Sequence, residues 1–225
     1  LMATLVLDFD SCLVPVESLE VHARRVLGGD SGRLAEVERW TRAGMEGEVP
    51  FEESLRRRLQ LLRLDPGALR RLGEELADQT SDGALDLVSH MQRRGHEVWI
   101  VSGGFQEILL PVAEFLGIPS GHVQGVRARF DDQGELLDLD PDLPFHISKV
   151  EGLKSLGVTW SRPAVGVGDG ITDLALLEAG YVDAFIAYTE HVKRQAVLDR
   201  SHHRADNMAQ VEILCQELWN SCGQG

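Results

Sequence analysis

From Thr4 to Val14 the chain reads TLVLDFDSCLV, an apolar run that ends on two carboxylates, Asp8 and Asp10, one residue apart. A short continuous Val/Leu run is the mark of a strand buried on both faces of a parallel sheet, and the C-terminal ends of such strands open into the crevice where α/β folds bind ligands. The two acids therefore stand at a mouth. Side chains two apart share a face only while the strand stays extended, so a turn beginning at Asp10 divides the pair. Asp-x-Asp-Ser is also ordinary turn chemistry, and taken alone it is open between a turn and a catalytic or metal-binding pair.

After Val14 the pattern changes. Apolar residues recur at helical spacing in VHARRVL, LAEVERW, LRRRLQLLRL and LRRLGEEL, which predicts an all-helical insertion over 17–80. Breaks fall at Gly28-Gly29-Asp30, at Gly47 to Pro50 and at Asp65-Pro66-Gly67, where Asp65 can cap the helix that Pro66 begins. From Ser81 the β/α alternation returns: a helix DGALDLVSHMQRRG, a strand HEVWIVSGG, a helix FQEILLPVAEFLG starting at about Phe105, and a β-type piece VQGVRARF. Asp131-Asp132-Gln133-Gly134 predicts a small hairpin. Then come a helix KVEGLKSLG, a strand AVGVGDG, a helix ITDLALLEAG, a strand DAFIAY, and helices near Glu190 to Asp199 and Ala209 to Trp219. The fold class that results is α/β: a doubly wound, mainly parallel sheet with helices on both faces. The core is 1–16 and 81–225, and the helical insertion, 17–80, hangs as a cap over the acidic end of the first strand.

A chain of 225 residues with net charge -14 suits one domain carrying an insertion, and its scattered Arg residues form no basic footprint, so no nucleic-acid partner is expected. Cys12, Cys215 and Cys222 lack metal-ligand spacing, which fits a reducing, cytoplasmic setting. No run approaches the ~20 apolar residues of a membrane span, and no signal segment opens the chain. Leu1 ahead of Met2 reads as an added residue, and the eight His, including an exposed His202-His203 pair, have no ligand spacing. The expected state is a monomer or homodimer acting on a small molecule.

Two further strand ends carry chemistry. HEVWIV ends in Ser102-Gly103-Gly104, which suits either an anion cradle of bare amides before a helix or a plain N-cap. AVGV ends in Gly168-Asp169-Gly170-Ile171-Thr172-Asp173, either a carboxylate cluster for a hard cation or a capped helix. Lys149 alone is an ordinary surface charge. Taken together, four Asp, a Ser, exposed amides and a Lys at converging strand ends make a constellation for a phosphoryl group and a metal.

In their order along the chain, DFDSCLV, VSGGF, Lys149 and GDGITDLAL resemble the four motifs of the haloacid dehalogenase superfamily of aspartyl-phosphate enzymes. The insertion, with Glu17 and MEGEVPFEESLRRRLQLL from Met45, is similar to the cap of phosphoserine phosphatases. The resemblance implies Asp8 as nucleophile, Asp10 as general acid and base, and Mg²⁺ held by Asp8, the Asp10 backbone carbonyl and Asp169, with Asp173 acting through water or behind the ligands. It implies Ser102, Gly103 and Lys149 on the phosphoryl oxygens. Glu17 would hold a substrate ammonium and Arg58 its carboxylate, with Met45, Phe51 and Thr172 completing the pocket. A zwitterion needs one anion and one cation, and Arg can clamp a carboxylate through two parallel bonds; without the resemblance, Arg56, Arg57 and Arg58 read as a charged helix face. The expected reaction is hydrolysis of O-phospho-L-serine, the last step of serine biosynthesis. The alternatives are another small phosphate ester or transfer to an alcohol such as homoserine, and, more remotely, a phosphoaspartate receiver module. One departure is Cys12, where the family usually has Thr; a buried, inert thiol and a reduced rate are expected there. Cap hinges are expected near Val14 to Glu17 and Thr80 to Gly83.

Overall fold

Residues 2–222 are described by the computed structural model, so Leu1 falls outside it. After β1 (Thr4–Leu7) come α1 (Ser18–Leu27), α2 (Ser31–Glu46), α3 (Phe51–Leu59) and α4 (Pro66–Ala77). The chain then alternates through α5 (Ala84–Arg93), β2 (Glu97–Phe105), α6 (Gln106–Leu116) and β3 (Val123–Val126) to a hairpin of β4 (Ala128–Phe130) and β5 (Leu136–Leu139). It closes with α7 (Lys149–Leu156), β6 (Ala164–Gly168), α8 (Ile171–Glu178), β7 (Ala184–Tyr188), α9 (Gln195–Leu198), β8 (His203–Ala205) and α10 (Met208–Cys222).

The main sheet has the order β3-β2-β1-β6-β7-β8, with every neighbouring pair parallel. Its strand order reverses at β1, so the C-terminal ends of β1, β2 and β6 lie side by side, where α/β sheets open a crevice. All four residues of β1 are buried, and Leu5 and Leu7 are fully enclosed, each worth about 1.5–3 kcal/mol of apolar burial.

Local chemistry sets the helix boundaries of the insertion as the sequence indicates. Asp30 accepts from the Arg33 N–H at 3.0 Å to start α2, and Asp65 accepts from the Ala68 N–H at 2.6 Å ahead of Pro66. Gly47 (φ 77°) closes α2 in the left-handed region. The chain enters and leaves the insertion at one point: the Ser81 N–H donates to Leu13 O at 2.8 Å and its hydroxyl to Cys12 O at 2.6 Å. The four helices are not held alike. α4 crosses α6 so closely that a Cβ on Gly73 would lie 2.4 Å from Ile108 O, so α4 is seated on the core while α1, α2 and α3 stand over the site.

Three expectations are corrected. β2 runs through Ser102-Gly103-Gly104 to Phe105, and α6 starts only at Gln106, so Ser102 caps no helix; its Oγ instead accepts from the Gly104 N–H at 2.9 Å. Two glycines let the backbone stay extended while its pairing with β3 loses register between Val101 and Phe105. The helix expected over 190–199 shrinks to Gln195–Leu198, because Arg194 is extended (φ −104°, ψ 112°) and sends its side chain inward. His203, expected exposed, opens the three-residue edge strand β8 and is only half-exposed, a strand too short and polar to leave an apolar run in the sequence.

Candidate active site

Asp8 and Asp10 leave β1 in a turn, and the turn separates their duties. Ser11 adopts φ 53°, a left-handed conformation uncommon outside glycine and typical of functional turns. Asp8 is buried; its Oδ1 accepts from the Phe9 N–H at 2.7 Å and from Lys149 Nζ at 2.7 Å. Asp10 faces Ser18, whose backbone N–H donates to Oδ1 at 2.9 Å and whose hydroxyl donates to Oδ2 at 3.1 Å. Burial pushes the Asp10 carboxyl well above the usual carboxylate range, and the Glu17 and Asp8 charges outweigh the opposing Ser18 donors. That is the environment of a carboxylic acid kept protonated for proton donation.

Lys149, 3% exposed, is the first residue of α7, whose N-cap is Ser148. Its Nζ bridges Asp8 and Asp173 Oδ1. Burial works against its charge, but Asp173 and Asp8 together raise its pKa. The surface reading of this Lys is thus replaced by a buried cation between two acids. Asp173 sits in the first turn of α8, where its Oδ2 accepts from the Gly170 N–H at 2.9 Å. Burial and the Asp8 charge push its carboxyl up to about 7 against the pull of Lys149.

Asp8, Asp169 and Asp173 place one carboxylate oxygen each within 4.8 Å of one another, all buried. Asp169 Oδ1 is buried without a hydrogen-bond partner among the described residues, a state that costs about 1–3 kcal/mol unless a donor or cation meets it. An all-oxygen set with an orphaned carboxylate oxygen fits a hard divalent cation.

The cap closes this floor. Asp8, Asp10, Glu17, Met45, Phe51, Arg58, Gly103, Lys149 and Thr172 line one cavity, and Ser102, Asp169 and Asp173 are buried beside it. Arg58 is buried, with Nε donating to Ser54 O at 3.3 Å and a guanidinium nitrogen to Thr41 Oγ1 at 3.4 Å. Its neighbours Arg56 and Arg57 stay outside, paired with Glu52 and Glu53 at 2.9 and 3.8 Å. Burial lowers the Arg58 pKa while the Glu17 and Asp10 charges oppose the shift. Cys12 is fully buried, and burial with the Asp8 charge pushes its thiol far up, so the protonated, inert form is held.

One residue of the site has no counterpart in the sequence reading. Arg194, just ahead of α9, is 7% exposed and donates to Asp169 Oδ2 at 2.8 Å and Glu17 Oε1 at 3.2 Å. Glu17 Oε1 also accepts from the Ser11 hydroxyl at 2.8 Å. The usable signal was position: an Arg in the loop after a parallel strand, at the end of the sheet where the other motifs gather.

A parallel sheet with two acids at its switch point, a buried Lys, an acidic triad and a helical lid makes a closed site suited to a phosphoryl group and a hard cation. The haloacid dehalogenase-like hydrolase model matches residues 5–178. The chain is 34% identical to the phosphoserine phosphatase of Bos taurus over 86% of this chain and 84% of the relative. It is 33% identical to the chloroplastic phosphoserine phosphatase of Arabidopsis thaliana over 72% of this chain, spanning 56% of that relative's length. The crystal structure of a phosphoserine phosphohydrolase-like protein from Francisella tularensis superposes with a TM-score of 0.91 at 32% identity, over 95% of this chain and 99% of the other. The chain belongs to the haloacid dehalogenase-like hydrolase family and is a phosphatase of phosphoserine phosphatase-like type.

Proposed function

We propose that the enzyme hydrolyses O-phospho-L-serine to L-serine and phosphate with Mg²⁺ as cofactor, completing serine synthesis in the cytoplasm as a monomer or homodimer. The observation that carries this reading is the placement of Glu17 and Arg58 in the cavity that Asp8 and Lys149 also line. A small zwitterionic ester offers one ammonium, one carboxylate and one phosphoryl group, and this wall offers one acid, one guanidinium and a nucleophile beside a Lys. Among the described residues no helix is long and apolar enough to cross a membrane.

Asp8 attacks phosphorus, and the ester oxygen leaves with the proton of Asp10, so a P–O bond to Asp8 forms as the bond to serine breaks. Asp10, now a carboxylate, takes a proton from the water that cleaves the aspartyl-phosphate. Splitting one hard displacement into two is the gain of covalent catalysis. Lys149, with the amides around Ser102 and Gly103, offsets charge on the phosphoryl oxygens. Asp8, the Asp10 carbonyl and Asp169, with Asp173 behind them, would hold Mg²⁺, which supplies the remaining positive charge against the phosphoryl group. Met45 and Phe51 exclude bulk water from the first step.

The test is phosphate release with Mg²⁺ from a panel of L-phosphoserine, phosphothreonine, phosphoethanolamine and sugar phosphates. Strong preference for phosphoserine, lost in Arg58→Ala, is expected. Equal rates across the panel, unchanged by the substitution, would discard the substrate and keep the phosphatase.

A further inference from the structure

Among the described residues Arg194 makes no hydrogen bond to Asp8 or Lys149 but stands between two acids given different ligands above. Its Nε holds Asp169 Oδ2 at 2.8 Å, and a terminal nitrogen holds Glu17 Oε1 at 3.2 Å. The grip is on one oxygen of each. Asp169 Oδ1 is left buried and unpartnered beside Asp8 and Asp173, and Glu17, with Ser11 on the same Oε1, keeps Oε2 without a hydrogen bond among the described residues. A planar guanidinium fork can hold two carboxylates in fixed orientation; a Lys ammonium, a point charge on a flexible stem, cannot reproduce both directions.

We propose that Arg194 is a positioning residue that aims two acids at once: Asp169 toward the cation and Glu17 toward the substrate's ammonium. The amino-group half rests on the phosphoserine reading, while the cation half stands without it. Removing the guanidinium leaves Glu17 and Asp169 facing each other with no cation between them, so each loses its orientation together with its counter-charge. The two ligand sites are then coupled through one side chain that contacts neither ligand.

The experiment compares wild type, Arg194→Gln, Glu17→Gln and the double variant in the full chain. The readouts are the Mg²⁺ dissociation constant by calorimetry without substrate, KM for L-phosphoserine, and KI for 3-phosphoglycerate, which carries a hydroxyl where phosphoserine has its ammonium. In Arg194→Gln, Mg²⁺ affinity falls about tenfold or more, the usual cost of losing a group that orients a metal ligand. At saturating Mg²⁺, KM for phosphoserine rises by about tenfold, the loss of one charge-assisted contact, while KI for 3-phosphoglycerate stays near the wild-type value. In the Glu17→Gln background, Arg194→Gln adds little to KM, because Arg194 acts through Glu17. Unchanged Mg²⁺ affinity with unchanged KM overturns the proposal, as does an equal rise in KM and KI or a full KM effect without Glu17. If wild type binds 3-phosphoglycerate as well as phosphoserine, the substrate reading fails and the Mg²⁺ titration alone decides: a tenfold loss supports the proposal and unchanged affinity overturns it. Should Arg194→Gln fail to fold, Arg194→Lys takes its place with the same expected changes and the same overturning results.

Discussion

The Ser18 backbone N–H donates to Asp10 Oδ1 at 2.9 Å, so the carboxyl assigned as proton donor also caps the first helix of the lid. Glu17, the formal N-cap of α1, makes no capping bond, and its carboxylate is turned toward Ser11 and Arg194. The acid and the lid are thereby joined through one residue, Ser18, by its amide and its hydroxyl.

From this environment the pH dependence of turnover has a defined sign. A raised Asp10 pKa means that the protonated, active acid persists to higher pH than for a free carboxyl, and kcat falls as pH rises through that raised value. Asp10→Asn should lose this alkaline limb and slow turnover by about 10²–10⁴-fold. A pH–rate profile unchanged in the variant would remove Asp10 from the acid role.

Arg58 is the one inward-facing member of the Arg triplet, and Thr41 steadies it. Arg58→Ala should raise KM for phosphoserine by about 10- to 100-fold, the worth of charge-assisted bonds to a carboxylate, with a smaller loss for phosphoethanolamine, which has none. Steady-state kinetics on the two substrates checks this.

A Cβ on Gly103 would lie 2.6 Å from Phe51 Cζ, so Gly103→Ala should hold α3 away from the floor. Loss of kcat/KM by up to about 100-fold is expected from a displaced site, with part of it recovered in Gly103→Ala/Phe51→Ala. Additive losses in the double variant would show that the clash is not the cause.

Gly73→Ala sets two effects against each other. Ala favours a helix by about 0.8–1.0 kcal/mol over Gly, whereas overpacking a tight contact costs about 1–3 kcal/mol. The new Cβ meets the Ile108 carbonyl at 2.4 Å, a backbone atom that cannot rotate away, so the clash wins and Tm falls. Thermal unfolding measures it; a rise in Tm would mean that α4 and α6 separate at no cost.

Much of the site was legible because its residues follow apolar strand runs: Asp8 after β1 and Asp169 after β6 stand where the hydrophobic pattern stops. Lys149 was distinguishable from a surface charge only by the company of the converging strand-end motifs, and Arg58 only through resemblance, since exposed neighbours such as Lys154 and Arg57 carry the same charge on the same helices. Arg194 left only its position after a strand as a signal, because its contacts depend on chain closure that brings residue 194 onto residues 17 and 169, and its neighbours HVKRQAVLDR imitate a surface helix. The N-cap alternative for Ser102 fell for a related reason: Gly103 and Gly104 read as a helix entrance, yet β2 passes straight through them.

Two absent side chains govern the height of the active-site ceiling. Phe51 rests over Gly103 near the end of β2, and Met45 Cε would lie 2.7 Å from a Cβ on Gly170 beside the acidic triad. The lid thus has two footings, one near the end of β2 and one in the turn between β6 and α8. Any residue larger than Gly at either footing would have to raise the roof, so on the proposed reading these two positions would act as a caliper for the length of the ester, independently of the charges that would recognise it.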